Sequence, residues 1–325
     1  MGIRNLKKTL LRVALAAAFF GGTPAVANSF AYATLGEDRA ITVGASGDAI
    51  AGALYESGSI GKFACTLATL RLADSGALDL GDSLGDLLPG FGDTPIGDVT
   101  LKQVLASRSG LADGLLPAFR KSPADVMSTP DARTALMKFA TGELVSVPGT
   151  QWSYDLVNWI AVQAVVEQTT GQPIGDVLDR TVLQAAGMGQ SRIFIGEIGD
   201  GAAPPSAPVR PLPGFLTCAG GLATTPTDLI ALARFPHQGG LSAESLELLT
   251  SVTTEDEGYT LGGRYLAAGQ SPSRMISWQT GSNGAYKSLV TYDPHTDTAF
   301  AAMTASDDNS AIQQARSEWM AQRGL

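Results

Sequence analysis

The pattern of apolar and polar positions predicts strands at both ends of the chain and helices between them. Residues 29–41 alternate loosely between apolar and polar side chains, and residues 259–303 alternate in segments broken by Gly and Asp-Pro turns, so both stretches are predicted to form strands. Between them the apolar residues recur with a helical period, as at Phe63, Leu67 and Leu70. Helices are predicted over residues 59–75, from Thr100 onwards, and over residues 156–170, 178–186, 227–235 and 308–322.

Strands at both ends of a chain can pair in one sheet, with the middle of the chain inserted as a second unit. The sequence therefore predicts an α+β fold, in which an antiparallel sheet is flanked by helices and an all-helical domain is inserted. We assign residues 28–78 together with 216–325 to the sheet domain, and residues 79–215 to the mostly helical domain.

The first 27 residues are typical of a secretory signal peptide. Four basic residues precede a short apolar run over 13–20, and Ala25-Val26-Ala27 follows a Gly- and Pro-containing segment. The apolar run is too short to span a bilayer, which takes about 20 apolar residues. We expect cleavage after Ala27, with Ala33 as a later alternative. The protein is thus predicted to be periplasmic or secreted, with no membrane span in its mature form.

Composition and charge exclude several classes of protein. The chain has 325 residues, of which 44 % are hydrophobic and 16 % charged, and its net charge is −9. This composition argues against disorder, and the acidic balance argues against a nucleic-acid partner. Two His and two Cys argue against a metal site, and we expect no cofactor. Export would permit a Cys65–Cys218 disulfide, but we favour free cysteines, because Cys is often a buried apolar residue.

Ser59 and Lys62 are the first candidates for catalytic residues. A serine at the start of a helix points its hydroxyl at the mouth of a site, and a lysine three residues later lies one turn along on the same face. A partly buried lysine can lose its proton and act as a base. The alternative is a helix-capping serine followed by a solvated lysine, and the spacing alone does not separate the two. His237 and His295 lie in predicted surface turns, so a Ser-His-Asp triad is not expected.

Several motifs in a consistent order resemble the serine β-lactamase and penicillin-binding protein family. The class C branch is the most similar, together with its D,D-peptidase and esterase relatives. The resemblance covers most of the mature chain. The residues that carry it are Glu56-Ser57-Gly58-Ser59-Ile60-Gly61-Lys62, Leu72 to Leu80, Leu105 to Leu111, Trp152-Ser153-Tyr154, Ala219-Gly220-Gly221-Leu222 and Trp278-Gln279-Thr280-Gly281.

The resemblance implies a β-lactamase/transpeptidase-like fold and a role for each matching residue. Ser59 would be the nucleophile that forms an acyl-enzyme, Lys62 would assist removal of its proton, and Tyr154 would act as or assist the general base. The backbone N–H groups of Ser59 and Ser282 would form the oxyanion hole. The third motif would place Gln279, Thr280 and Gly281 at the substrate.

Two departures from the family pattern concern substrate recognition. The second motif is usually Tyr-x-Asn, but here it is Tyr154-Asp155-Leu156, and Asn158 could replace the missing amide if the chain is already helical there. The third motif usually begins with Lys or His, but here Gln279 stands in that place and carries no charge. Lys287 or Arg274 would then have to supply the cation that binds a substrate carboxylate.

The sequence therefore predicts an exported serine hydrolase that acts on a small-molecule or peptidoglycan-derived substrate. The substrate would be a small ester or an amide of the D-alanyl-peptide or β-lactam type, with a slight preference for esters. The alternative is a catalytically silent relative that binds peptidoglycan or a protein partner.

Overall fold

A computed structural model of the protein describes residues 29–268 and 271–325. The signal peptide predicted for residues 1–27 lies outside these residues. Ala33, the alternative cleavage position, lies in the middle of a strand and is fully buried. Cleavage after Ala33 would divide that strand, so the structure disfavours this alternative.

A six-stranded sheet joins the two ends of the described chain. Its strand order is β2-β1-β9-β8-β7-β6, and every neighbouring pair is antiparallel. Ala33 of β1 pairs with Val43 on one side and with Ala301 on the other. The predicted antiparallel sheet is thereby confirmed. The strands are β1 (Phe30–Leu35), β2 (Ile41–Ser46), β3 (Tyr55–Glu56), β4 (Arg192–Ile193), β5 (Leu222–Thr224), β6 (Tyr265–Ala268), β7 (Ser271–Asn283), β8 (Tyr286–Asp293) and β9 (Thr298–Thr304).

Strands β3, β5 and β4 form a second, small antiparallel sheet beside the loop that leads to Ser59. The short strand β3 ends at Glu56, and the backbone N–H of Ser57 continues the pairing by donating to the carbonyl of Leu222 at 2.9 Å. This small sheet fixes the chain immediately before the candidate nucleophile.

Helices cover both faces of the large sheet and fill the middle of the chain. The helices are α1 (Ile60–Asp74), α2 (Leu84–Leu87), α3 (Leu101–Leu105), α4 (Leu115–Lys121), α5 (Pro123–Met127), α6 (Ala132–Phe139), α7 (Val157–Thr170), α8 (Ile174–Leu178), α9 (Gln184–Ala186), α10 (Thr217–Gly220), α11 (Pro226–Arg234), α12 (Ala243–Thr250) and α13 (Ser310–Ala321). A π-helical turn over Asp179–Leu183 joins α8 to α9.

Strand β9 shows how the sheet is buried on both faces. Phe300 and Ala302 belong to one apolar cluster with Trp319 of α13, whereas the alternate residues Ala301 and Met303 belong to the main core. This alternation is the period of two expected for a strand covered on both sides. The antiparallel sheet flanked by helices, as predicted from the sequence, is confirmed.

Helix α1 runs through the main core. Every residue from Ile60 to Leu70 is buried, so the helix has no solvent-facing side over these residues. It packs against α7 and α10. The main core extends from the large sheet into the helices of residues 79–215. The division into a sheet domain and a helical domain stays a prediction.

Several local signals in the sequence are found where they were expected. The capping box at Thr100 is formed with Gln103, and Gly171 ends α7 in the left-handed conformation, with φ of +64°. The individual helices α4, α5, α6 and α12 were not predicted. They are five to eight residues long, which is too short for a clear helical period in the sequence.

Cys65 and Cys218 form a disulfide, so our preference for free cysteines is wrong. Cys65 lies in α1 and Cys218 in α10, and their Cα atoms are 5.5 Å apart. Both side chains are fully buried. The two cysteines are 153 residues apart in sequence, and their pairing depends on how two helices pack. No local sequence pattern predicts it.

Both histidines were predicted to lie in surface turns. This prediction is confirmed for His295 and wrong for His237. His295 is exposed in the turn between β8 and β9. His237 is half-buried, its Nε2 lies 2.9 Å from the Tyr265 hydroxyl, and its ring packs against Tyr292. Burial lowers the pKa of His237 to about 4, so it is neutral at neutral pH.

Among the described residues, none of the helices combines the length and the apolar character needed to cross a bilayer.

Candidate active site

Ser59 lies at the N-terminal end of α1, close to the end of strand β7. Its backbone is already helical, and its hydroxyl makes no capping hydrogen bond to the helix. Gly58 precedes it with φ of +52°, a left-handed conformation that glycine adopts without strain. A Cβ added at Gly58 would lie 2.4 Å from the backbone nitrogen of Ser282. Ser59 is therefore held against the part of β7 that carries Ser282.

Gly281 brings β7 equally close to the loop before α1. A Cβ at this position would lie 1.7 Å from the carbonyl oxygen of Ser57, so no other residue fits without a backbone shift. The Ser288 hydroxyl donates to the same carbonyl at 2.7 Å. This close approach places Ser282 beside Ser59, as an oxyanion hole made of their two backbone N–H groups requires.

Lys62 follows Ser59 by one helical turn and is 2 % exposed. Its Nζ donates to the Ser59 hydroxyl at 3.1 Å and to the carbonyl of Ala219 at 2.9 Å. Burial lowers the pKa of Lys62 to about 7; the charge of Asp155 opposes this shift and that of Arg264 adds to it. An amine with this pKa is partly neutral at neutral pH and can accept the proton of Ser59. The solvated lysine considered as an alternative is therefore excluded.

Tyr154 reaches the site from the loop before α7. Its ring centroid lies 5.2 Å from Lys62 Nζ and 6.1 Å from the ring centroid of Tyr259. The residue is 41 % exposed, yet its partial burial raises the pKa of the phenol, while the Ser59 hydroxyl and the charge of Arg264 oppose the shift. Tyr154 is therefore protonated at neutral pH, so that it can donate a proton more readily than it can accept one.

Asn158 does not reach the cleft, contrary to the expectation that it binds substrate. It is fully buried in the first turn of α7, where its side-chain amide donates to Asp155 at 2.8 Å and accepts from the Ser109 hydroxyl at 2.6 Å. Its backbone N–H also donates to Asp155, at 3.0 Å. These bonds occupy the amide of Asn158, and Leu156 lines the cleft instead.

Gln279 also faces away from the cleft, although the sequence suggested a substrate contact. Its side-chain oxygen accepts from the backbone N–H of Arg264 at 3.1 Å, and its side-chain nitrogen donates to the carbonyl of Arg264 and to the Ser277 hydroxyl, each at 3.0 Å. Side chains alternate along a strand, so Gln279 and the cleft-lining Trp278 and Thr280 lie on opposite faces of β7. The amide serves to hold Arg264.

Arg264 is the cation at this site that the sequence analysis missed. Its guanidinium carbon lies 5.7 Å from the ring centroid of Tyr154 and 5.4 Å from that of Tyr259, and its Nη2 lies 3.2 Å from a carboxylate oxygen of Glu257. Arg274, one of the two cations considered from the sequence, instead pairs with Asp293. The backbone pairing that brings Arg264 to β7 could not be inferred from spacing.

Two cavities meet at Ser59 and Ser282. The polar pocket, of about 370 Å³, is lined by Tyr154, Arg264, Trp278, Thr280, Gly281 and Lys287 among others. The apolar pocket, of about 620 Å³, is lined by Leu116, Phe119, Leu156, Leu212 and Leu216, with Arg120 and Arg210 also in its wall. If a substrate carbonyl lay at Ser59, the group on one side of the carbonyl would extend into the polar pocket and the group on the other side into the apolar pocket.

Within residues 29–268 and 271–325, no three His, Cys, Asp or Glu side chains are grouped closely enough to hold a metal ion.

Comparison with known proteins gives one family and a consistent fold. A family model described as Beta-lactamase matches residues 8–324. The chain is 26 % identical to penicillin-binding protein 4 of Amycolatopsis lactamdurans over 225 residues, which are 62 % of this chain and 55 % of that one. It is 32 % identical to esterase EstB of Burkholderia gladioli over 148 residues, which are 42 % of this chain and 37 % of that one. The match therefore spans about half or less of these relatives' length.

A solved structure agrees with this fold. A D-stereospecific amidohydrolase from a Streptomyces species superposes with a TM-score of 0.74 at 20 % identity, covering 89 % of this chain and 94 % of that one. At this identity the likeness concerns the fold.

Proposed function

This chain belongs to the beta-lactamase family of serine hydrolases, and from that premise we propose that it forms an acyl-enzyme on Ser59 and hydrolyses small esters. The observation that carries the proposal is the contact between Ser59 and Lys62. The lysine amine is buried, has a pKa of about 7 and donates to the serine hydroxyl at 3.1 Å, where two cavities meet.

In the acylation step, Ser59 Oγ attacks the substrate carbonyl and gives its proton to the neutral amine of Lys62. The negative charge that develops on the carbonyl oxygen is stabilised by the backbone N–H groups of Ser59 and Ser282. Loss of one such donor typically reduces the rate by about 10²–10³. When the tetrahedral intermediate collapses, the phenol of Tyr154 protonates the departing oxygen, and the proton on Lys62 restores the phenol.

Deacylation repeats these steps with water as the nucleophile. Lys62, again neutral, accepts a proton from the water that attacks the acyl carbonyl. The oxyanion is held by the same two N–H groups. Collapse breaks the bond to Ser59 Oγ, which takes back the proton and leaves a carboxylic acid as product.

An ester substrate is favoured by what the cleft lacks. Leu156 presents a hydrocarbon side chain where the family pattern has an amide, and Asn158 is buried out of reach. An alkoxide also leaves more easily than an amide nitrogen, so an ester demands less of the proton donor. The likeness to esterase EstB supports this choice.

A second candidate is an amide or peptide whose leaving group carries a carboxylate. Arg264 and Lys287 line the polar pocket, and either cation could bind such a carboxylate in place of the missing third-motif cation. This candidate predicts faster turnover of substrates with an anionic leaving group.

We further propose that the protein is exported. The predicted signal peptide ends at Ala27, and the Cys65–Cys218 disulfide fits an oxidising compartment, since cytosolic thiols are kept reduced. Expression of the full chain in a Gram-negative bacterium, followed by fractionation and N-terminal sequencing, should give a periplasmic protein that begins after Ala27. A cytosolic protein with an intact N-terminus would contradict this.

Hydrolysis of p-nitrophenyl acetate tests the function. We expect turnover by the wild type and a loss of at least about 10³-fold in Ser59→Ala, since removal of a nucleophile leaves only binding and oxyanion stabilisation. Ser317→Ala, on the exposed face of α13, is the control and should retain full activity. Equal activity in Ser59→Ala would refute the assignment, and no turnover of any activated ester or amide would favour the silent binder.

A further inference from the structure

The apolar pocket has hydrocarbon walls that leave apolar surface open to solvent. Helix α4 contributes Leu116 and Phe119 from one face, and Leu156 and Leu216 face the same space. Leu116 is 44 % exposed. Apolar surface of this kind, next to a nucleophile, is covered when a hydrocarbon group of the substrate enters.

One wall of the apolar pocket is a stiff loop segment. Leu212 stands between Pro211 and Pro213, whose rings fix their backbone φ angles. The backbone N–H of Leu212 donates to the carbonyl of Gly196 at 2.8 Å and its carbonyl accepts from the N–H of Gly196 at 2.8 Å. This wall is therefore held in place before any substrate binds. Arg210 directly precedes Pro211, at the start of the segment.

Arg120 and Arg210 line the apolar pocket without ionic partners. Within residues 29–268 and 271–325, neither makes a salt bridge or a side-chain hydrogen bond. Some other arginines of the described chain form salt bridges, as Arg234 does with Asp297 and Arg274 with Asp293. Both residues are exposed, and in a chain of net charge −9 they bring two unpaired positive charges to the wall of one apolar cavity. They are complementary to an anion placed there.

The position of Tyr154 decides which half of the substrate enters the apolar pocket. On the proposed function, on which this inference rests, Tyr154 protonates the leaving group. Tyr154 lines the polar pocket, so the leaving group extends there. The acyl group must then extend from Ser59 the other way, towards Leu156, Arg120 and Arg210.

We propose that the substrate is an ester whose acyl group is a hydrocarbon chain ending in a carboxylate, in other words a half-ester of a dicarboxylic acid. The chain fills the apolar pocket, and its terminal carboxylate pairs with Arg120 and Arg210. The preference resides in the acyl group and is separate from any charge in the leaving group.

Two activated esters of equal chain length test the proposal. The first is p-nitrophenyl octanoate. The second is the mono-p-nitrophenyl ester of octanedioic acid, which differs only by its terminal carboxylate and is too long to cyclise readily. We expect kcat/KM to be about tenfold higher for the second ester at low ionic strength, and the ratio to fall as salt screens the charges. A ratio of one or below would overturn the proposal.

The double variant Arg120→Gln/Arg210→Gln shows whether the two arginines cause the preference. The ratio should fall to about one, while kcat/KM for the uncharged octanoate should stay within about twofold of the wild type. Arg180→Gln is the matched control, since Arg180 is exposed, unpaired and outside the cleft. An unchanged ratio in the double variant would refute the assignment to these residues.

Two further experimental results distinguish failure of this inference from failure of the proposed function. Turnover of p-nitrophenyl acetate that depends on Ser59, combined with no preference for the carboxylate ester, would leave the proposed function standing and reject the inference. If no ester is turned over, both fall. Binding of monomethyl octanedioate to Ser59→Ala, measured by calorimetry, should weaken about tenfold in the Arg120→Gln/Arg210→Gln background, and equal binding would count against the inference.

Discussion

The polar and the apolar pocket share Ser59 and Ser282 but are built from different parts of the fold. The polar pocket rests on β7 and β8, and its cation Arg264 is fixed by hydrogen bonds to Gln279 and an ion pair with Glu257. The apolar pocket is walled by a short helix and a proline-flanked loop, and its two arginines have no ionic partner within the described residues.

On the proposed function, this difference separates the part of the site that would support the reaction from the part that would select the substrate. Every group that would move a proton or hold the oxyanion lies at the N-terminal end of α1, on β7 or in the loop before α7. Buried contacts hold Lys62, backbone pairing holds Ser282, and Tyr154 packs against Tyr259. The groups with free hydrogen-bonding and ionic capacity lie on the helix and loop of the apolar pocket. Substrate preference can therefore change there without disturbing the chemistry.

Gly58→Ala should disturb the point that both pockets share, and it has the largest expected effect. An added Cβ would lie 2.4 Å from Ser282 N, and the left-handed φ would be strained for alanine. Separation of Ser59 from Ser282 should lower kcat for every ester by about 10²-fold, as the loss of an oxyanion donor does. Gly52→Ala is the control, because no atom lies within 4 Å of its added Cβ. Full activity in Gly58→Ala would show that the two residues do not act together.

Removal of the disulfide should destabilise the packing of α1 against α10, which borders the apolar pocket. The bridge ties α1 to α10, and Ala219 and Gly220 of α10 line the apolar pocket. Cys65→Ala/Cys218→Ala should lower the free energy of unfolding by about 2–4 kcal/mol, as measured by urea denaturation. Reductant should destabilise the wild type but leave the double variant unchanged. Equal stability of the two proteins would mean that the bridge contributes nothing.

Gln279→Leu tests the wall of the polar pocket. It removes the bonds to the backbone of Arg264 in a buried place, and unsatisfied buried groups typically cost about 1–3 kcal/mol each. We expect a loss of stability in this range, with no change in the preference between octanoate and octanedioate esters. Gln322→Leu, at an exposed position, is the control. A changed acyl preference in Gln279→Leu would show that the two pockets are not independent.

The pH dependence gives the smallest effect and the finest test of the charges around Lys62. Since Lys62 must be neutral to accept a proton, kcat/KM should rise with pH, and the midpoint of this rising limb should lie near pH 7. Arg264 lowers the pKa of Lys62 and Asp155 raises it. Arg264→Gln should therefore move the limb to higher pH, and Asp155→Asn should move it to lower pH.

Arg274→Gln is the control for this pair, because Arg274 is bound to Asp293 outside both pockets. Shifts in the same direction for Arg264→Gln and Asp155→Asn, or no limb near pH 7, would contradict the role given to Lys62.

Local spacing predicted the contact between Ser59 and Lys62 but did not by itself separate a catalytic pair from a helix cap; the ordered motifs of the family resemblance favoured the catalytic interpretation. Ser59 and Lys62 lie one turn apart on one helix, so their contact depends only on the helical period and on the start of α1. The capping box at Thr100 and Gly171 at the end of α7 are equally local. The antiparallel sheet followed from strand patterns at the two ends of the chain.

Recognition residues could not be placed in the same way, because their orientation depends on tertiary contacts. Asn158 was expected in the cleft, but Asp155 three residues earlier binds both its side chain and its backbone. Gln279 faces away because of its place in the alternation of β7. Arg264 reaches the site only because its backbone pairs with β7, as in the bond from Trp278 N to the Arg264 carbonyl at 2.9 Å.

The most direct test of the central claim is the intact mass of the protein, quenched in acid within milliseconds of mixing with an activated ester. The account predicts a transient mass increase equal to one acyl group, located by peptide mapping on the peptide that contains Ser59 and absent in Ser59→Ala. It also predicts that the adduct forms more slowly in Lys62→Met than in the wild type. Hydrolysis without any covalent adduct, or an adduct that persists in Ser59→Ala, would contradict the account.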